Sequence, residues 1–419
     1  MAKPVELPER RPRAAGAPAA LEGLVVVDFS RVLAGPYGTQ MLADMGAEVI
    51  KIENPIGGDE MRASPPLIGT ESALYLSLNR GKRSVALDFT KPQGREVALD
   101  LIAQADIVVE NFTSGVMRRA GLDYASLAPD FPKLIYLSIS GYGRTGSLAN
   151  AGAVDPVVAA ESGVTYMNGP PDERPQFSAV STIDLMTALH AQVAVLAAIH
   201  ARDRLGRGQH IDMSLYDVAI ASLSFVGAKF LATGEEPPRL PRVAPHRPPT
   251  GEFDCADRPL YVVCFSQKLY ERLCRDVLRR PDLIEDAAFA TVRERRRNTE
   301  RLGAILREIF LTDTAENWSR KMKAAGIPAG PLRSPGEALT SELTRERNLV
   351  TRGPHPTLGS VFNIESPFRL MSLTPAVDAR PPPLLGQHSS EILSQMLGYD
   401  AERIAMLKAA DVIMDASDP

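Results

Sequence analysis

Excess positive charge is the first thing this 419-residue chain lacks: 47 lysines and arginines stand against 51 aspartates and glutamates, a net charge of −4. Nucleic acid and anionic membrane surfaces attract basic excess, so neither is an expected partner, and any phosphate must be met by a local cluster. Cysteine is scarce as well. Cys255, Cys264 and Cys274 are odd in number and are not spaced as zinc ligands, which fits reduced thiols in a cytoplasmic protein; no metal is expected. A membrane span is also missing, because the longest apolar helix candidate, Leu185–Ala201, is interrupted by Thr187, His190, Gln192 and His200 and reads as a buried core helix. Residues 1–20 are rich in proline, alanine and arginine and contain no apolar signal core, so they read as a disordered extension and not as an export signal. Finally, the Gly-x-Gly-x-x-Gly turn of a dinucleotide site is absent. Ala34-Gly35-Pro36-Tyr37-Gly38 stands in its place, which argues against nicotinamide or flavin even though Glu53 falls where a ribose-binding acid would lie.

What the chain does have is a strong β-α-β pattern near its start. Leu24 to Phe29 is a short valine-rich run, and Val49 to Ile52 repeats that character some turns later, as buried parallel strands do. Between them the spacing predicts a helix, with Pro36 in its first turn, Met41, Leu42 and Met45 on one face, and Gly46 at its stop. Further strands are expected over Asp106–Glu110 and Leu134–Ser140, with helices over Lys91–Gln104, Val157–Gly163 and Leu185–Ala201. The length exceeds what one hydrophobic core usually supports, so two domains are expected. The predicted fold is α/β: a large Rossmann-like parallel-sheet domain begins at residues 21–230, and a linker over 231–250, dense in proline and arginine and containing His246, follows it. A smaller α+β domain at 251–338 comes next, and 339–419 return to the large one.

Ser30-Arg31-Val32-Leu33-Ala34-Gly35-Pro36, Gly46-Ala47-Glu48-Val49-Ile50-Lys51-Ile52-Glu53 and Gly58-Asp59 resemble the amino-terminal signature of the class III coenzyme A transferases. That family includes formyl-CoA and carnitine-CoA transferases and the related α-methylacyl-CoA racemases. The similarity continues through Gly206-Arg207-Gly208-Gln209, Ile327-Pro328-Ala329-Gly330-Pro331 and Pro383-Leu384-Leu385-Gly386-Gln387-His388. It covers nearly all of the chain after residue 20.

The resemblance implies a nucleophilic aspartate at Asp184, at the head of the long apolar helix. Read from residue type alone, Asp184 is a helix cap, with Ser181 and Thr182 as competitors. A helix amino terminus would also favour its ionised form. The resemblance further implies coenzyme A contacts from Val32, Ala34, Lys82, Arg83, Leu87, Asn111, Phe112 and Arg119. Residues alone make Asn79-Arg80-Gly81-Lys82-Arg83 either an anion-binding loop or a solvated turn. Arg293–Arg297 reads as a solvated basic face, and His388 as helix-end packing in preference to a base. The expected activity is transfer of CoA from an acyl-CoA donor to a carboxylic acid acceptor through a covalent aspartyl intermediate, in a homodimer of interlocked rings. Racemisation or isomerisation of an acyl-CoA, or a non-catalytic CoA-binding role, are the alternatives. The racemase branch has a His-Asp pair where this chain has Val154-Asp155, and valine cannot exchange a proton. Leu33 replaces the glutamine of formyl-CoA transferase, and the glycine run that shields that enzyme's site is absent between Pro245 and Tyr261, so a larger or less polar acyl group than formate or oxalate is expected.

Overall fold

The computed structural model describes residues 5–14, 16–239 and 248–416. Two compact units result. The larger comprises the chain up to Val164, Ser178–Gly227 and everything from Glu342; the smaller comprises Thr165–Phe177 and Ala228–Ser341.

In chain order the first half of the larger unit contains β1 (Val25–Asp28), α1 (Ala34–Asp44), β2 (Glu48–Glu53) and a tiny hairpin of β3 (Leu67–Ile68) and β4 (Glu71–Ser72). There follow α2 (Ala73–Leu78), β5 (Lys82–Leu87), α3 (Pro92–Ala103), β6 (Ile107–Glu110), α4 (Val116–Ala120), α5 (Tyr124–Leu127) and β7 (Ile135–Ser140). After these come α6 (Asp155–Glu161), α7 (Thr182–Leu205), β8 (His210–Ser214) and α8 (Leu215–Ser222). The sheet order is β5-β2-β1-β6-β7-β8, all parallel, with Ile413–Met414 added antiparallel beside β5. This is the doubly wound order in which the sheet changes direction between β1 and β6, and ligands of such sheets collect beyond the carboxyl ends of the strands at that point. The expected Rossmann-like parallel sheet is therefore present.

Both faces of the sheet are covered, which is why its strands read as continuous apolar runs. Val27, Ile50, Val85 and Val108 pack against α3, α4 and the carboxyl-terminal helices Ser389–Gln395 and Ala401–Ala409. Val26, Val49, Ile107 and Ile135 pack against α1, α6, α7 and α8. Helix α1 lies close to its neighbours because two of its residues have no side chain. A Cβ on Gly35 would fall 2.2 Å from Ser30 Cβ, and one on Gly38 would fall 2.5 Å from Gln192 Nε2 on α7. Residues 8–11, within the stretch read as a disordered extension, make defined contacts. Arg352 N–H donates to Pro8 O (3.0 Å), Arg11 N–H to Asn348 Oδ1 (3.0 Å), and Arg10 pairs with Glu365 (3.1 Å).

The smaller unit has its own core around a three-stranded antiparallel sheet, Gly251–Asp254, Pro259–Val262 and Ala329–Pro331, with helices Thr299–Phe310 and Ala315–Ala324. Thr165–Phe177 belongs to it as well, tied by Arg239, whose guanidinium donates to Pro171 O and Glu173 O. Sequence patterning had left that loop with the large domain. In the run Arg293–Arg297 the solvated face holds for Arg293, Arg296 and Arg297, which are exposed, but Arg295 is fully buried, donates to Gln267 Oε1 and Phe289 O (2.9 Å each), and lies 4.0 Å from the Tyr270 ring centre. The three cysteines are unpaired and buried in this unit, and burial pushes the Cys274 thiol up to about 11, the opposite of an activated nucleophile.

Gly35→Ala is expected to lower stability by about 1–3 kcal/mol, because Ser30 Cβ lies on an immobilised loop and cannot swing away. Chemical denaturation tests this, and an unchanged midpoint would remove the close-packing argument.

Candidate active site

The carboxyl end of β1 is organised by charges that see no water. Asp28 is fully buried and accepts from Ser30 N–H (2.9 Å), Thr39 Oγ1 (2.5 Å) and Lys82 Nζ (3.1 Å). Lys51, equally buried, donates to Ser30 O (2.8 Å) and Asp59 Oδ2 (2.9 Å). Burial works to raise the Asp28 pKa, yet Lys82, Lys51 and the hydroxyls of Ser30 and Thr39 together bring it below the ordinary value. Burial also lowers the Lys82 pKa to about 8 against the pull of Asp28. On the neighbouring strand Glu53 is clamped by Arg62 (2.7 and 2.8 Å) and by Ser84 Oγ (2.7 Å), so it is engaged internally and does not face a ribose.

These ties immobilise the loop Ser30–Leu33. Asn111 Oδ1 accepts from Arg31 N–H (2.8 Å), its Nδ2 donates to Arg31 O (2.7 Å), and Val32 N–H donates to Asp59 Oδ1 (3.1 Å). Val32 is held at φ 68°, a left-handed conformation that a β-branched residue adopts only when its surroundings impose it, and its side chain is 44% exposed. The Arg31 guanidinium stacks 4.8 Å from the centre of the Phe112 ring and pairs with Glu60. The structure thus brings Val32, Asn111 and Phe112 together at the sheet's switch point. Ala34 begins α1 beneath them and is nearly buried. Arg119 is exposed on α4. Next to Phe112 a polar cleft of about 470 Å³ opens, lined by Ser114, Arg118, Tyr124, Ser138, Arg144 and His210 among others. Arg144 donates to Phe112 O (3.0 Å) and pairs with the buried Glu110.

The remaining predicted contacts lie elsewhere. The cationic loop Asn79–Arg83 is neither an open anion cradle nor a solvated turn. Arg80 pairs with Asp44, Lys82 with Asp28, and Arg83 with Glu48 and Glu391. Lys82 has no exposed surface at all, and a buried ammonium already donating to Asp28, Pro36 O and Asn79 Oδ1 has no proton left for a phosphate. The Leu87 side chain is core, with its backbone paired to Ile413. His388 is structural: its Nδ1 accepts from Ser84 N–H and its own N–H donates to Ser84 O. His246 lies outside the described residues.

Asp184 sits in the first turn of α7, partly buried. Asp184 lies inside that turn and not at the cap position, which Ser181 holds without making a side-chain cap hydrogen bond. The cap comes from another element. Asp155, at the start of α6, accepts through one oxygen, Oδ2, from Ile183 N–H (2.8 Å) and Asp184 N–H (3.0 Å). The positive end of α7 is therefore occupied by Asp155, and the expectation that it keeps Asp184 ionised is overturned. Burial first, and the charge of Asp155 second, push the Asp184 pKa from 3.8 up to about 7. The result is a basic carboxylate with no structural duty as a cap, the state a nucleophile needs. Sequence reading missed this use of Asp155 because Asp-Pro at a helix start looks like a cap for its own helix.

Comparison with known proteins gives a consistent picture. The model of CoA-transferase family III matches residues 21–389. The chain is 35% identical over 394 residues to human succinyl-CoA:glutarate CoA-transferase, covering 94% of this chain and 90% of that protein. It is 37% identical over 332 residues to the acetyl-CoA:oxalate CoA-transferase of Acetobacter aceti, covering 79% and 85%. With the succinate–glutarate CoA-transferase of Agrobacterium fabrum it shares 34% identity over 403 residues, covering 93% and 97%. Among solved structures, a CAIB/BAIF family protein from Brucella suis superposes with a TM-score of 0.81 at 32% identity, over 90% of this chain and 99% of that one. Rv3272 from Mycobacterium tuberculosis gives 0.79 at 31% identity over the same shares.

If Lys82 is an internal strut, Lys82→Ala strands Asp28 in the interior and costs about 3–5 kcal/mol of stability. Urea denaturation measures it. Full stability combined with weakened coenzyme A binding would return Lys82 to the ligand.

Proposed function

The chain belongs to CoA-transferase family III, and from that premise we propose that it moves coenzyme A from an acyl-CoA thioester to a free carboxylic acid, with Asp184 as the covalent nucleophile. The observation that carries this reading is the Asp184 carboxylate itself, raised to about 7, partly buried, and relieved of the capping role by Asp155.

In the first step an Asp184 oxygen attacks the thioester carbonyl carbon. The O–C bond forms, the C–S bond breaks, and CoA leaves as thiolate from an aspartyl acyl anhydride. Returning thiolate attacks the Asp184 carbonyl carbon, giving aspartyl-CoA thioester and releasing the donor acid. The acceptor carboxylate then attacks that thioester, and the thiolate finally takes the acceptor acyl group, regenerating the Asp184 carboxylate. Each exchange trades one negative charge for another and needs no external proton. Water must be kept out throughout, because an anhydride hydrolyses readily.

For the coenzyme we propose the surface formed by Val32, Ala34, Asn111 and Phe112, with Arg119 and the adjoining cleft residues Arg118 and Arg144 meeting phosphates. Arginine suits phosphate because its planar fork offers paired donors. Lys82 and Arg83 act from behind, by fixing β5 against β1 and β2. The relatives named for succinyl-CoA, acetyl-CoA, glutarate and oxalate favour a short acyl-CoA as donor and a dicarboxylic acid as acceptor, a departure from the less polar acyl group expected from Leu33. Racemisation is disfavoured by Val154, which has no exchangeable proton. A homodimer is proposed as well, supported by the apolar face that α7 and the residues after α8 leave uncovered: Leu189 is 49% exposed, Val193 68% and Phe225 82%.

Four outcomes are expected. The rate kcat/KM for acyl-CoA rises with pH around a midpoint near 7, as the Asp184 carboxyl loses its proton, and Asp184→Ala abolishes turnover and hydroxylamine-trappable label. Retained turnover in that variant would sink the mechanism. Because the folded pKa lies above the unfolded one, this group's contribution to stability is lost as pH rises through about 7. The fall in melting temperature between pH 5 and pH 8 is therefore smaller in Asp184→Asn than in the parent protein, and equal falls would contradict the assigned pKa. Val193→Asp converts a dimer into monomers in analytical ultracentrifugation; an unchanged assembly would remove α7 from the interface.

A further inference from the structure

The acyl-transfer reading explains why Asp184 is a carboxylate but not why a second carboxylate, that of Asp155, is bonded to its backbone N–H. A designless cap would use serine or threonine, which satisfy the same N–H groups without adding charge. Here the N–H groups of Ile183 and Asp184 both meet Asp155 Oδ2, at 2.8 and 3.0 Å, from a different helix. Asp155 is itself 8% exposed, so its charge is not dissipated in bulk water. The contact also spans sequence, since it joins the first residue of α6 to the first turn of α7 across 28 and 29 positions.

Resting on the reading of Asp184 as nucleophile, we propose that Asp155 is a positioning residue for the transfer reaction. It pins the first turn of α7 and, as a fixed negative neighbour, drives charge off Asp184 and onto the leaving thiolate. The balance of the first step gives the reason. Asp184 carries one negative charge before attack and none afterwards, while the C–S bond pair leaves with sulfur and carries that charge away. A carboxylate held beside another carboxylate in a partly buried site is destabilised, whereas its anhydride or thioester is not. The repulsion is therefore relieved by acylation, and it favours every intermediate in which Asp184 is covalently occupied.

The surroundings leave Asp155 as the source of this effect. Helix α7 packs against α1, α6, α8, β7 and β8. Those elements carry the titratable side chains of Tyr37 and Asp44, of Asp155 and Glu161, of Tyr216 and Asp217, of Tyr136, and of His210 and Asp212. Of these, the charge that acts on Asp184 is that of Asp155.

The decisive variant is Asp155→Asn, whose amide oxygen can still accept both N–H groups but carries no charge. The midpoint of Asp184 ionisation, read by carbon-13 NMR of labelled aspartate and by the pH profile of kcat/KM, should move to lower pH. Above both midpoints, the acyl-enzyme trapped at Asp184 with a fixed ratio of acyl-CoA to CoA should fall about tenfold for each unit of that movement. Asp155→Ala removes the acceptor too, so its melting temperature and kcat should fall below those of the Asn variant at every pH. A midpoint that does not move, a midpoint that moves without loss of acyl-enzyme, or an Ala variant equal to the Asn variant in both measures would each overturn the proposal. Failure of the parent reading is separate: no label on Asp184 of the unmutated protein sinks the transfer mechanism, while the NMR midpoint still reports whether Asp155 bears on Asp184.

Discussion

Two buried ion pairs, Asp28 with Lys82 and Lys51 with Asp59, hold the carboxyl end of β1, the middle of β2 and the amino end of β5 in one arrangement. Such pairs add little net stability, since taking four charges out of water costs about what their attraction returns. What they do is exclude alternatives. Any movement that separates them leaves a bare charge in the interior, and the loop they grip, Ser30–Leu33, inherits that rigidity. The left-handed backbone of Val32 is sustained by it, and so is the stacking of Arg31 on Phe112 across the switch point.

The same economy of charge governs Asp184. A helix amino terminus ordinarily stabilises an anion in its first turn. In this chain the two N–H groups that would do so are taken by Asp155, and the first-turn carboxylate is left with burial and repulsion instead. The two aspartates thus differ in duty: Asp155 holds the start of the helix, and Asp184 is left without a capping role. The strained loop at Val32 follows the carboxyl end of β1, and the polar cleft beside Phe112 runs from Glu110 at the end of β6 past Ser138 in β7 to His210 at the start of β8.

Much of this is legible in the sequence. The valine-rich runs announced parallel strands buried on both faces, the Ala-Gly-Pro turn excluded a dinucleotide loop, and Asp184 stood at the head of the longest apolar helix. The anion loop could not be read correctly. Arg80, Lys82 and Arg83 are adjacent to no carboxylate in sequence, yet Asp44, Asp28 and Glu48 reach them through strand pairing and the packing of α1. Arg295 was misread for a like reason, because a run of five charged residues on a short helix gives no hint that one of them turns inward onto Tyr270. The segment Thr165–Phe177 joins the smaller unit through Arg239, a link with no local signature.

Composition and periodicity by themselves determined the class of fold and the positions of the β-α-β units, because these depend on interactions within a few residues along the chain; Asp184 was marked out only by the resemblance to a family, since residue type alone made it a cap. Tertiary structure alone decided which charges meet. Coulomb energy depends on separation in space and on the surrounding dielectric, and neither is written in the spacing of residues. That is why Lys82 proved internal, and why the partner of Asp184 is an aspartate 29 positions away.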